Sequence, residues 1–231
     1  MELVAFVINL DRRQDRAETF FANFENAHIP ITRISAVDGE TLDFISHSPL
    51  SQAEQGCWFS HLKVLSAFLS SGADYCLVFE DDAVPVGWAC SGLEDMVAEL
   101  IEIMQDQQIE LLQLGHIRSL YRLRSRQGFT YGLMQFVSGS RSARVKVGGK
   151  SQRLHKNQFR AGAHAYIVSR FSALALEGSN TPALFGADDL LSAVAGANLN
   201  HRRPRLSFGS LSPGLFDQES RRFGGVVDSD V

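Results

Sequence analysis

Three consecutive carboxylates, Glu80-Asp81-Asp82, follow directly on the apolar run Leu77-Val78-Phe79. Carboxylates packed this closely repel unless a cation neutralises them or one takes up a proton. A hard divalent ion held by one or two carboxylates and a substrate phosphate satisfies such a group, and Mn2+ and Mg2+ both favour oxygen ligands. The alternative is a solvated acidic turn, or an Asp capping the next helix. The apolar run before the triplet favours the metal, because strand ends are where ligands bind in open α/β sheets.

A second group is Asn9-Leu10-Asp11-Arg12-Arg13-Gln14-Asp15-Arg16. Arg13 and Arg16 are three apart, so on a helix both can face one diphosphate. Helix N-termini also attract anions, and Asn9 is placed to read a base or a ribose. Taken alone, pairing of these arginines with Asp11 and Asp15 explains the group as well. Neither a dinucleotide-binding glycine pattern nor a phosphate loop is present, which disfavours a Rossmann dehydrogenase or a P-loop kinase.

Cys57 and His61 stand four apart inside a helical pattern and share a face, as a Cys–His nucleophile pair would require. A buried cysteine beside a hydrogen-bonded Ser60 or His61 is the commoner outcome. His164 reads as a satisfied core histidine. Asp188 or Asp189 either caps a helix or takes a proton from an attacking hydroxyl.

The elements that must position these groups follow from periodicity. Residues 3–8 form a near-continuous apolar run, as in a strand buried on both faces. Phe20, Phe21, Phe24 and Ala27 recur at helical spacing, predicting a helix over 16–27 that stops before Pro30. Strands are predicted at 31–36, 75–79, 109–114 and 163–168. Ser51-Gln52-Ala53-Glu54 is a capping box that opens a helix to about residue 70, stopped by Gly72. Further helices are predicted at 93–104, 170–177 and 188–195. Residues 131–137 and 143–147 read as two strands of a hairpin. The alternation predicts an α/β fold with a mixed, mostly parallel sheet and helices on both faces.

The chain has 231 residues and 45% hydrophobic content, enough for one sizeable core. Three cysteines at irregular spacing fit neither a disulfide framework nor a four-cysteine zinc site. The N-terminus lacks the basic region of a secretion signal, and no apolar run approaches a membrane span. Charge is segregated. Residues 111–176 hold 12 Lys and Arg and no acid, so this segment is +12 within a chain of net −4. Such a segment suits an anionic ligand or surface, or is a solvated basic loop.

In order along the chain, several segments resemble glycosyltransferase family 25, which includes bacterial lipopolysaccharide galactosyltransferases and collagen galactosyltransferases. They are Val7-Ile8-Asn9-Leu10 with Arg13 and Arg16, Ala36-Val37-Asp38-Gly39, and Gly56-Cys57 with Ser60-His61. Val78-Phe79-Glu80-Asp81-Asp82 and Leu114-Gly115 follow. Next are Gly162 with Ala165-Tyr166-Ile167-Val168-Ser169, Asp189-Leu190, and Pro213-Gly214-Leu215-Phe216-Asp217-Gln218-Glu219. The resemblance implies a GT-A-like nucleotide-diphospho-sugar transferase fold, a UDP-sugar donor (often UDP-galactose) and inversion at the anomeric carbon. It implies that Asp82 with Glu80 or Asp81 holds Mn2+ or Mg2+ on the donor diphosphate. Asn9, Leu10, Arg13, Arg16, Asp38, Ser60, His61 and Asp81 would then lie near the nucleotide. Asp189, or its neighbour Asp188, would be the base on the acceptor side.

One domain over 1–219 is expected, with 111–160 a basic acceptor-side insert and 220–231 a loose tail. The acceptor expected is a glycan or glycolipid such as lipopolysaccharide, anionic to suit the basic segment, in the cytoplasm or at the inner membrane face. Two other readings compete. One is a degenerate module that holds a sugar nucleotide without turnover. The other is a nucleic-acid binder using the basic segment and its aromatics Tyr121, Phe129, Tyr131, Phe136 and Phe159, which the acidic net charge disfavours.

Overall fold

The computed structural model describes residues 1–42, 48–87, 89, 92–116, 141–157, 162–177, 187 and 206–218. The apolar run at the N-terminus becomes strand β1 (Leu3–Asn9). Its side chains alternate between two cores, Ala5 and Val7 on one face and Phe6 and Ile8 on the other. A strand covered on both faces has no solvated side, which is why its sequence shows no polar alternation. β3 (Tyr75–Glu80) and β8 (Ala165–Ser169) divide in the same way.

One eight-stranded sheet carries the fold, in the order β2-β1-β3-β8-β5-β9-β7-β6. The remaining strands of this sheet are β2 (Ile31–Ser35), β5 (Leu111–Gln113), β6 (Arg141–Val147), β7 (Lys150–Lys156) and β9 (Phe208–Ser212). The pairings set six strands in one direction and two, β7 and β8, against them. β4 (Ala83–Pro85) and β10 (Phe216–Gln218) form a separate antiparallel pair.

Helices cover both faces. α1 (Gln14–Asn23) and α3 (Leu93–Asp106) bury Phe20, Leu93, Met96, Leu100 and Met104 in one core. α2 (Gln52–Ser71) and α4 (Arg170–Glu177) bury Trp58, Val64, Leu65, Phe68 and Leu176 in the other. The α/β class read from the sequence is the class observed.

Most elements lie where periodicity placed them, and the differences have local causes. α1 ends four residues earlier than the apolar spacing suggested. Phe24 and Ala27 are buried as expected, but a turn carries them, with Ala27 N–H donating to the Phe24 carbonyl at 3.0 Å. The capping box at α2 is complete: Glu54 N–H donates to Ser51 Oγ, and Ser51 N–H donates to Glu54 Oε2 at 2.8 Å.

Residues 143–147 pair with the segment after them, β7, while the strand expected at 131–137 lies outside the described residues. Gly148 and Gly149 both take positive φ, 55° and 71°. A two-residue turn with both central φ positive matches the twist of the flanking strands. This pair of glycines between two alternating runs was the signal overlooked. The predicted helix at 188–195 and the tail from 220 also lie outside the described residues.

Candidate active site

Register brings the first two chemical groups together. β1 and β3 run parallel with Ile8 opposite Glu80, while Asn9 stands opposite Ser35 of β2. The carboxyl ends of three strands therefore meet at one rim. Asp81 and Asp82 form the turn from β3 into β4.

Asn9 is buried and links the rim. Its Nδ2 donates to Asp81 Oδ2 at 2.7 Å and to the Arg13 carbonyl at 2.9 Å. Its Oδ1 accepts from Arg33 Nε at 2.7 Å. The amide thus spends both its donors and an acceptor on protein. Arg33 also donates to Asp11, which accepts a second bond from Ser35 Oγ at 2.8 Å. The Arg33 and Ser35 hydrogen bonds hold the Asp11 carboxyl below the ordinary carboxylate range.

The two arginines predicted to act together each meet carboxylates. Arg13 turns to Asp15, its Nε and Nη2 donating at 3.1 and 3.0 Å, and this pairing lowers the Asp15 pKa. Arg16 points at the acidic turn, 3.5 Å from Asp81 Oδ1 and 3.9 Å from Asp82 Oδ2. The side chains of Asp81 and Asp82 are only 11% and 13% exposed, so their charges are weakly screened by water.

Glu80 faces elsewhere. His61 Nε2 lies 3.2 Å from Glu80 Oε1, and His61 Nδ1 lies 2.9 Å from the Tyr166 hydroxyl. Cys57, one turn earlier on α2, brings its sulfur to the same place. Cys57, His61 and Glu80 each offer an atom within 4.8 Å of the others. Tyr166 is fully buried, and burial above all, with Cys76, Glu80 and Cys57 adding to it, pushes its pKa well up.

Ser60 is structural. Its hydroxyl accepts from Val37 N–H at 2.8 Å and donates to the Gly56 carbonyl at 2.7 Å. Gly56 and Gly39 explain why α2 can lie so close to the loop at 36–39. A Cβ on Gly56 would sit 2.7 Å from Gly39 N and 2.8 Å from Val37 O. Asp38 in that loop accepts from Arg12 Nε and from Glu40 N–H, both at 3.0 Å, capping a short 3-10 turn (Gly39–Thr41). Leu10 is half-buried and closes the turn ahead of α1, its carbonyl accepting from Arg13 N–H at 2.9 Å.

Asn9, Arg16, Asp81 and Asp82 are thus gathered at one point, with Glu80 and His61 just beneath α2. Asp188 and Asp189 lie outside the described residues. Sequence reading passed over Arg33, although a lone charge within the apolar strand Ile-Thr-Arg-Ile-Ser was a visible signal. A cavity of about 500 Å³ opens alongside, lined by Asp11, Gln14, Ala17, Glu18, Phe21 and Arg33. It shares Arg33 with the rim but not the acidic turn, where the charged chemistry is concentrated.

The donor set at the turn suits a hard cation. Asp81 and Asp82 offer only oxygens, they are partly buried, and Arg16 lies 3.5 and 3.9 Å from them. Fold and site together define an α/β protein that gathers carboxylates, an asparagine and an arginine at the carboxyl ends of its strands, where such sheets bind ligands.

The chain belongs to glycosyltransferase family 25: the profile of "Glycosyltransferase family 25 (LPS biosynthesis protein)" matches residues 3–191. Procollagen galactosyltransferase 2 of Mus musculus is 31% identical over 33% of this chain and 15% of its own length. Procollagen galactosyltransferase 1 of Danio rerio is 29% identical over 49% of this chain and 21% of its own length. The chain thus spans roughly a fifth or less of these curated relatives. Among solved structures, a glycosyltransferase involved in glycosylation of the major capsid of PBCV-1 matches 94% of this chain and 92% of its own. Its TM-score is 0.46, at 7% identity. A197 from STIV matches 91% and 83%, with a TM-score of 0.44 at 13% identity.

Proposed function

We propose that this chain is an inverting, metal-dependent glycosyltransferase. It moves a sugar, galactose in this reading, from a UDP-sugar to a hydroxyl of a glycan such as lipopolysaccharide. The observation that carries the proposal is the Asp81–Asp82 turn, held by Asn9 and faced by Arg16 at the carboxyl ends of β1 and β3. The names of the curated relatives support galactose as the sugar.

In this reading Asp82 and Asp81 hold Mn2+ or Mg2+, with Glu80 next to them in the chain. When bound, the ion stabilises charge on the departing diphosphate. Arg16 is close enough to shift from the carboxylates to a phosphate oxygen, adding a second positive charge where charge develops. Asn9 keeps Asp81 oriented, so that little reorganisation is needed. On the acceptor side, Asp189 or Asp188 takes the proton of the attacking hydroxyl as its oxygen bonds to the anomeric carbon. The bond from that carbon to the diphosphate breaks on the opposite face, which inverts the centre.

The β6–β7 hairpin supports an anionic acceptor. Arg144 and Arg153 stand directly opposite each other, both exposed, with exposed Lys146 two residues along β6. Like charges placed across a strand pair are destabilising unless an anion joins them. A phosphorylated glycan or glycolipid would do so. Among the described residues no helix is long and apolar enough to cross a membrane. We place the reaction in the cytoplasm, with peripheral contact at the inner membrane face.

The test is release of UDP from a panel of UDP-sugars with and without Mn2+. Mn2+-dependent release from one donor that is lost in Asp82→Asn supports the proposal. Absence of both release and UDP-sugar binding overturns it.

A further inference from the structure

The same residue that ends β3 also closes a different cluster. Glu80 directs its carboxylate under α2 to meet two side chains from successive turns of that helix. Cys57 and His61 are four apart, so α2 presents a thiol and an imidazole from one face. With the Glu80 carboxylate they supply three ligand atoms of three kinds, all within 4.8 Å of one another.

The spacing suits one small ion. A tetrahedral zinc ion with bonds of about 2.0–2.3 Å sets its ligand atoms about 3.3–3.8 Å apart. His61 Nε2 and Glu80 Oε1 are already 3.2 Å apart. A modest side-chain rotation of Cys57 closes the other two edges, which are within 4.8 Å. The other ring nitrogen, Nδ1, lies 2.9 Å from the Tyr166 hydroxyl, which fixes the ring with Nε2 toward Glu80. Metal-bound histidines are oriented in this way by a partner on the second nitrogen. His61 and Tyr166 are fully buried, whereas Cys57 and Glu80 are half-buried and give an ion access.

The donor set differs in kind from that of the acidic turn. Asp81 and Asp82 offer oxygen alone, the choice of hard ions. A thiolate with an imidazole and a carboxylate selects softer ions. We propose that Cys57, His61 and Glu80 form a second metal site, for a thiophilic divalent ion of the zinc class, with its fourth position open to water. On binding, the thiol proton is released to solvent and the sulfur bonds the metal. The ion then cross-links α2 to the end of β3. The site does not depend on the glycosyl-transfer reading.

Titration of the full chain with Co2+ tests this, because a thiolate bound to Co2+ gives a charge-transfer band that oxygen ligands do not. One equivalent producing that band is expected. The band should vanish in Cys57→Ser, whose fold is checked by circular dichroism, and persist in Cys76→Ser and in Asp82→Asn. Zn2+ should raise the melting temperature of the parent protein and not that of Cys57→Ser. Absence of the band, its survival in Cys57→Ser, or its loss in Asp82→Asn alone overturns the proposal.

Discussion

Asn9 shows how much one side chain can decide. Truncation to Ala leaves Asp81 Oδ2 and Arg33 Nε each short of a bond. Losing the partner that orients a metal-binding carboxylate costs ~10–100-fold in metal affinity or activity. If Asp81 holds Mn2+ as proposed, Asn9→Ala should raise the Mn2+ concentration needed for half-maximal UDP release by about that factor. A manganese titration of turnover reads this directly.

Tyr166 makes a prediction about pH at the same scale. Burial raises its pKa well above the ordinary value, and burial likewise raises that of Cys76. A raised acid is protonated more tightly in the folded state. Its contribution is whole below the unfolded pKa, near ~10 for Tyr, and is lost as pH climbs beyond it toward the folded value. Tyr166→Phe strands His61 Nδ1 and should lower stability by ~1–3 kcal/mol at neutral pH. It should also remove part of the alkaline loss, so denaturation curves of variant and parent converge above about pH 10. A constant gap across that range would show that Tyr166 does not titrate as described.

At the scale of elements, α2 is both the best-signalled and the most constrained. Its capping box was legible, and Ser51→Ala should cost ~0.5–2 kcal/mol. Its seat on the loop at 36–39 was not legible. Gly56 reads as an ordinary mid-helix glycine until the backbone of Val37 and Gly39 is seen against it. Gly56→Ala normally favours a helix, yet here it should destabilise by ~1–3 kcal/mol, because a methyl group must displace backbone. Thermal melts of the two variants give the signs. The loop carries Asp38 and is held by Ser60, so Gly56→Ala should disturb both.

What the sequence made legible follows from periodicity. β1, α2, β3, α3 and α4 have continuous or helical apolar spacing, and each was placed within a few residues. β4 and β10 have three residues each, too few for a period. β7 reads as polar because only Gln152 and Leu154 turn inward. β9 is buried yet made of Phe, Gly, Ser, Leu and Ser, and at Gly209 a Cβ would lie 3.1 Å from Ile109 and 3.2 Å from His155 and Leu154, which leaves little room for a side chain there. At the site, Asn9, Arg16 and the acidic triplet were legible as chemistry. Their partition was not. Nothing in the spacing says that Glu80 faces His61 while Asp81 and Asp82 face Arg16. That follows from the registers of β1, β2 and β3.

For the whole molecule, the segregated charge is the feature to test. Arg153→Glu places opposite charges across the β6–β7 pair and should raise stability by ~0.2–1 kcal/mol. If the hairpin recognises an anionic acceptor, the same change should weaken transfer to a phosphorylated glycan and leave donor hydrolysis intact. Gain of stability with loss of acceptor use separates recognition from folding. A parallel loss of both would assign the arginines a structural role.

The reversed direction of β8 has a consequence for the architecture of specificity. Because β8 runs against β3 and β5, the chain arrives at the rim where it enters β8 rather than where it leaves. The N–H groups of Leu114 and Gly115, at the end of β5, both bond the Ala165 carbonyl at the start of β8, at 2.9 and 3.1 Å. The excursion between them therefore departs and returns at nearly one point. Among the described residues its β6–β7 portion joins the sheet through β9 and packs Val147 and Leu154 into the core shared with α3. The hairpin is thus anchored by one strand ladder and by buried side chains, apart from the rim built by β1, β2 and β3. Its exposed charges can therefore change without touching that rim.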